Sequence, residues 1–314
     1  MLHRYSDYRW LRGFNMIPSW GARIEQAWWD YDGGRFRAEA ALSLQANANC
    51  IRLWIEFSAW MADPARVQAA FMDAVDGLGE LDLLVIPCLF NRWHDLRYDY
   101  GGTYAEDLYR DLTPRLEYAH ELVAPLAGDP RILMWDLCNE PQVRDLSDPI
   151  AGAELAWLAR VADTVRRAGV EQPITIGTHQ AGDNMDIYAP LCDVLCCHPY
   201  GQTPAQLDEM LAVCGAVQRR HAKPMHSNET IPGCLDDGKR ADCARWTITR
   251  MEDAGFGWMG WGMREGRAVS TRRDRYDDNG IDRQGFHAWF TRDGKLRPGL
   301  EFLQDPPRFQ RPER

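Results

Sequence analysis

Short apolar runs alternate with amphipathic stretches along the whole chain. The apolar runs fall at about residues 12–18, 50–57, 82–90, 132–138, 173–179, 193–199, 223–229 and 256–262. Ile51-Arg52-Leu53-Trp54-Ile55 and Leu83-Leu84-Val85-Ile86-Pro87-Cys88-Leu89 are near-continuous rather than alternating, the pattern of parallel strands covered on both faces. The segments between them read as helices. Residues 36–48 are rich in Ala and Leu, 64–78 open on Pro64 with Asp63 as N-cap, and 104–127 carry apolar residues at helical spacing. Residues 151–168 close on Gly169, 204–221 are capped by Thr203, and 238–254 close on Gly255. A polar cap, a proline in the first turn and a glycine just past the end are each favoured at those positions. Residues 178–190 leave room for only a short helix.

Eight strands, each followed by a helix and with no linker between, predict a single-domain (β/α)₈ TIM barrel over residues 1–314. A doubly wound sheet is the alternative, but no G-x-G-x-x-G follows any strand. Nor does a repeat of fixed period suggest a solenoid. Residues 264–284 are the one long irregular stretch, rich in Arg and Asp from Thr271 to Asp278. In a barrel this is the loop after strand eight, placed to close one end of a cleft and favour attack at a chain end.

Composition narrows the function. There are 36 basic and 46 acidic residues, a net charge of −10, which argues against a nucleic-acid or anionic-membrane binder. No apolar run approaches the roughly 20 residues of a membrane span. Nine cysteines lie scattered with no C-x-x-C pair, so a zinc ribbon is not expected. They read as reduced, small hydrophobes of the core. Met1-Leu2-His3-Arg4-Tyr5 carries no apolar signal region, and the expected location is cytoplasmic. Thirteen tryptophans are many for this length. About half are expected in the core, while Trp20, Trp28, Trp29, Trp60, Trp93 and Trp261 fall at predicted strand ends, where aromatic faces can stack on sugar C–H faces.

Barrel chemistry is built at the C-terminal ends of the strands. Strand four ends Trp135-Asp136-Leu137-Cys138-Asn139-Glu140-Pro141, and strand seven ends Met225-His226-Ser227-Asn228-Glu229-Thr230. Strands four and seven lie on opposite sides of an eight-stranded ring, so the two glutamates can face each other. A facing pair suits glycoside cleavage: one protonates the leaving oxygen, while the other attacks the anomeric carbon or activates water. Either glutamate alone would more simply be a solvated loop charge.

These residues carry a resemblance. Asn139-Glu140-Pro141 and Glu229 resemble the acid/base and nucleophile signatures of the clan A glycoside hydrolases, and the chain is most similar to glycoside hydrolase family 5, the cellulase-like family. Arg52 on strand two, His94 after strand three, His198 and Tyr200 in His198-Pro199-Tyr200, and Trp261 in Gly260-Trp261-Gly262 match that pattern in order. The resemblance implies a retaining β-glycoside hydrolase acting on β-linked carbohydrate by double displacement, with neither metal nor cofactor. Glu140 would be general acid/base and Glu229 nucleophile. It further implies that Arg52 keeps Glu229 ionised, that Tyr200 donates to it, and that the Glu140 site raises its pKa. Asn139 would hold the sugar 2-hydroxyl, and Trp261 would floor the sugar subsite.

Other readings stay open. A metal-dependent barrel hydrolase would use His94, His179, His198 and His226, but strand one lacks an H-x-H pair. A sugar-binding pseudoenzyme or a transglycosidase could use the same barrel. His179 could contact substrate or serve loop structure, and Glu265 could contact sugar or pair with Arg264 or Arg267. The sugar, the linkage and the oligomeric state are not fixed by the sequence.

Overall fold

All eight parallel strands are present in the computed structural model, which describes residues 5–91, 111–141, 146–147, 149–179, 184–267 and 286–312. They are β1 (Arg12–Met16), β2 (Cys50–Trp54), β3 (Leu84–Cys88), β4 (Trp135–Asn139), β5 (Ile174–His179), β6 (Leu195–His198), β7 (Met225–His226) and β8 (Trp258–Gly260). Hydrogen-bonded neighbours run β7-β6-β5-β4-β3-β2-β1-β8. Between β7 and β8 the ring is nearly closed by the bridge Thr230↔Gly260, with the Thr230 amide donating to the Met259 carbonyl at 2.9 Å. The molecule is a (β/α)₈ barrel, as the alternation of apolar runs predicts.

Helices α1 (Ile24–Trp29), α2 (Gly33–Ala40), α3 (Phe57–Ala62), α4 (Pro64–Glu80), α5 (Thr113–Val123), α6 (Pro149–Arg167), α7 (Asn184–Tyr188), α8 (Pro204–His221) and α9 (Asp237–Asp253) fill the intervals. The caps read from sequence are made: Asp63 accepts from the Arg66 amide and Thr203 from the Gln206 amide. Gly169 and Gly255 adopt φ of 84° and 87°, the left-handed region that glycine enters without a Cβ clash. The expected helix over 36–48 instead begins at Gly33 and passes into a 3₁₀ turn at Ala41–Ala46. The short helices α1 and α3 add to the expected set. Of the helix expected over 104–127, residues 104–110 lie outside the described ones.

One large apolar cluster joins the strands to the helices. A second, around Trp10, Cys50, Leu84, Ile86, Leu133 and Met259, gathers toward the N-terminal ends of the strands. Seven of the nine free cysteines are buried, as expected of small core hydrophobes. After the last strand, Phe290 bridges Arg264 and Leu296. Asn47 then ties down the Leu303 carbonyl at 2.8 Å. No helix among the described residues is long and apolar enough to cross a membrane.

Strand seven is shorter than its apolar run suggests. Pro224 has no amide to give a ladder, and the ladder is left after His226. The next residues, Ser227, Asn228 and Glu229, are buried but polar. They follow β7 at the C-terminal end of the barrel.

Candidate active site

Arg52 is the third residue of β2 and has no exposed surface. A lone buried guanidinium would be costly, so each of its nitrogens needs an acceptor. Nε and Nη2 donate to Asp136 Oδ2 at 3.0 and 2.6 Å, and Nη2 also reaches Asn139 Oδ1 at 2.9 Å. Nη1 donates to Asn15 Oδ1 at 2.9 Å and to Glu229 Oε2 at 2.8 Å. Burial works against this charge, but Asp136 and Glu229 outweigh it and hold the guanidinium protonated. Asn228 completes the ring by donating to Asp136 Oδ2 at 2.9 Å, while Asn15 Nδ2 braces the Asn228 carbonyl at 2.9 Å.

Glu229 is held at both oxygens. Arg52 takes Oε2, and the Tyr200 hydroxyl donates to Oε1 at 2.8 Å. Burial and the Glu229 charge push the Tyr200 phenol well above its usual range, so it stays a donor.

Glu140 follows β4 in a left-handed conformation, φ 47°, unusual for a residue with a Cβ and most often tolerated where function demands it. Its amide donates to the Gly177 carbonyl at 2.8 Å. Its Oε1 meets His198 Nδ1 at 2.7 Å and His179 Nδ1 at 3.2 Å. The tautomer of His198 follows from the network. Asp136 can only accept from Asn228 Nδ2, so Asn228 Oδ1 is the atom facing His198 Nε2 at 2.7 Å. Nε2 therefore carries a hydrogen, and the Glu140–His198 contact holds one further proton.

The electrostatic order of the glutamates reverses the sequence expectation. Burial pushes Glu140 up, but the neighbouring imidazoles of His179, at 3.2 Å, and His198, at 2.7 Å, outweigh it and bring the carboxyl down to about 2. Glu229 is shifted up by burial and by the Glu140 charge, against His198, Arg52 and Tyr200. The surroundings of Glu140 therefore favour its ionised form, the reverse of the proton-bearing acid expected from the sequence. One oxygen of each glutamate and the Nδ1 of His198 lie within 4.8 Å of one another. Donor hydrogens from Arg52, Tyr200 and the imidazoles already fill this space, so a cation would have to displace them.

The glutamates face a cavity of about 280 Å³ lined by Trp54, Asn91, Asn139, His179, Tyr200, Gln202, Trp261 and the Pro232–Gly233 and Phe286–His287 segments. Trp261 and Trp54 meet at 4.9 Å between ring centres. Asn139 Nδ2 donates to Asn91 Oδ1 at 3.2 Å.

Seven of the eight expected site residues thus converge: Arg52, Asn139, Glu140, His198, Tyr200, Glu229 and Trp261. The eighth, His94, lies outside the described residues, as do Trp93 and most of the loop expected at 264–284. Trp20, Trp28 and Trp60 belong to the core rather than to the cavity wall: Trp28 and Trp60 lie on the buried faces of α1 and α3, and Trp20 donates to the Ala27 carbonyl of α1. Trp54, within β2, does line the cavity. His226 is also away from it, buried beside Thr175 and Tyr8, where burial lowers its pKa to about 3. Glu265 pairs with Arg297 at 3.2 Å rather than with Arg264 or Arg267. Asn15, Asp136 and Asn228 were not singled out from the sequence. A polar residue within an apolar strand run is the signal that Asn15 and Asp136 share with Arg52.

No protein-family model and no curated protein sequence matches the chain. Solved structures do. The GH5_18 protein of Streptomyces cattleya, in complex with GlcNAc, superposes with a TM-score of 0.76 at 17% identity over 98% of this chain and 83% of its own. The fold is shared with glycoside hydrolases. The exo-β-1,4-mannosidase of Opitutaceae bacterium strain TAV5 matches with a TM-score of 0.73 at 17% identity, covering 94% of this chain and 58% of its own. The β-glucuronidase of Ruminococcus gnavus matches with a TM-score of 0.64 at 14% identity, covering 94% of this chain and 50% of its own.

Proposed function

We propose that the protein is a retaining β-glycosidase, with Glu229 as nucleophile and Glu140 as acid/base. The observation that carries this reading is that the two carboxylates face each other across one cavity with one oxygen of each within 4.8 Å, each held by a different set of donors, a close approach that favours the retaining arrangement. In retaining enzymes the carboxyl groups stand about 5–5.5 Å apart, whereas an inverting pair needs about 6.5–9.5 Å to admit water.

Glu229 attacks the anomeric carbon while Glu140 passes a proton to the departing oxygen. Water then cleaves the glycosyl ester, with Glu140 as base. Arg52 and Tyr200 hold the attacking carboxylate in line. The Glu140–His198 pair supplies the proton at the right moment. A bound sugar displaces water, and a drier site favours the neutral over the charged form of the Glu140 carboxyl. Covering the cavity therefore moves the shared proton toward Glu140 Oε1.

The substrate we propose is a short β-linked glycan. Two of the similar structures are one solved with GlcNAc and one named an exo-β-1,4-mannosidase, which favours attack at a chain end. The test is a panel of aryl β-glucosides, mannosides, galactosides, xylosides and glucuronides with matching oligosaccharides, using Glu229→Ala as control. Cleavage by the wild type alone supports the reading and names the sugar. Sugar binding without cleavage anywhere on the panel would replace it with a binding barrel.

A further inference from the structure

Asn228 stands between the two halves of the site. It follows β7 by two residues and is wholly buried. Its Nδ2 donates to Asp136 Oδ2 at 2.9 Å, on the carboxylate that Arg52 grips, and its Oδ1 lies 2.7 Å from His198 Nε2. The Cys196 thiol donates to the same Oδ1 at 3.1 Å. These neighbours fix which way the amide faces, because the Arg52-bound carboxylate only accepts.

An acceptor at Nε2 holds a hydrogen there, whether His198 is neutral or charged. A neutral His198 then presents a bare lone pair at Nδ1. Glu140 Oε1 faces that nitrogen at 2.7 Å, hydrogen-bond range, and too close for two lone pairs with no hydrogen between them. The contact is satisfied only while the pair holds a proton, as carboxylic acid with imidazole or as carboxylate with imidazolium. The Nδ1–H tautomer would satisfy an ionised Glu140 without that proton. Asn228 denies His198 this tautomer, since it would set a bare Nε2 against Oδ1.

We propose that Asn228 is a positioning residue: by holding His198 in its Nε2–H form, it keeps on the Glu140–His198 pair the proton that Glu140 delivers to the leaving oxygen. This rests on the glycosidase reading of Glu140. The other groups around His198 are Arg52 from β2, Asp136 from β4, His179 from β5, Cys196 from β6 itself and His226 from β7. Beyond β7 stands Glu229, whose Oε2 lies 3.8 Å from Nδ1 and whose other oxygen accepts from Tyr200.

Asn228→Leu has a similar shape but removes the acceptor. His198 can then take the Nδ1–H form, and the pair, which titrates as a unit, gives up its proton at lower pH. The basic limb of the kcat/KM profile should fall by about one pH unit. Asn228→Asp, which keeps an acceptor at Nε2, should not lower it. Loss of packing alone would reduce kcat/KM at every pH and leave the limb in place, and that result overturns the proposal. ¹⁵N NMR of the histidine side chains reads the tautomer without turnover. In the wild type, Nε2 of His198 should carry hydrogen at every pH, and in Asn228→Leu it should be bare above the pair's titration. A bare Nε2 in the wild type sinks the proposal whether or not the variants fold, as does an Nε2–H retained in Asn228→Leu. A switched tautomer in a protein that cleaves nothing upholds the hold on His198 and rejects the glycosidase reading instead.

Discussion

At Arg52, one side chain connects three strands' worth of polar residues, reaching Asn15 on β1, Asp136 and Asn139 on β4, and Glu229 beyond β7. The guanidinium's fixed fork suits this, since a compact ammonium could not reach so many acceptors at once. Removing it would strand Asp136 and Glu229 as buried charges without their shared partner. Arg52→Met is expected to lose about 3–5 kcal/mol of stability, read from urea denaturation, as well as activity. Arg52→Met combined with Asp136→Asn should recover part of the stability but none of the activity. If Arg52→Met alone leaves the urea midpoint unchanged, the buried network does not hold the barrel as described. Reading the sequence found the residues that touch substrate in the family pattern. It passed over Asn15, Asp136 and Asn228, whose task is to hold those residues. Their polar groups acquire meaning only when the strands are brought side by side.

Strands were legible element by element because apolar runs in a parallel barrel are continuous. Their ends were not. Residues 227–229 leave the ladder to present polar side chains, and α1 and α3 are too short to leave a periodic signature. The same shortness explains the tryptophans: Trp28 and Trp60 look like rim residues until α1 and α3 turn them inward, and Trp20 until its indole packs against α1. β5 contributes a site of close approach. A Cβ at Gly177 would stand 2.7 Å from His198 Nε2 and 3.2 Å from Arg52 Nη2. Gly177→Ala should push His198 off Asn228, and with it Glu140. A misplacement of about 1 Å at a catalytic group costs roughly 100-fold in rate, so that loss is expected with only about 1–3 kcal/mol of destabilisation. Near-wild-type kcat/KM in this variant would show that the Glu140–His198 geometry does not govern the rate.

Across the whole molecule, the acidic surplus and the buried carboxyls make stability depend on pH in a readable way. Glu56, outside the catalytic cavity, is pushed up to about 7 from an ordinary 4.5 by burial, with the Glu25 charge adding to it. The folded state thus binds a proton that the unfolded chain releases near pH 4.5, so this group favours folding at low pH and loses that contribution as pH rises through 7. Between pH 5 and 8 the loss amounts to at most about 3 kcal/mol. Glu56→Gln should flatten the fall in urea midpoint over that range, and an equally steep fall in the variant would assign the effect elsewhere. Glu140, whose pKa is lowered, works in the opposite sense: its contribution is present above the ordinary carboxylate range and fades as pH falls toward 2.

The central claim is that Glu229 forms a covalent bond to the sugar and Glu140 serves both steps. The most direct measurement is turnover of an activated aryl β-glycoside by Glu229→Ala with and without azide, with the product's anomeric configuration read by proton NMR. The account predicts an inert variant that azide revives to give the α-glycosyl azide. A Glu229→Ala protein that still hydrolyses the β-glycoside without azide, or whose rescued product keeps the β configuration, would contradict it.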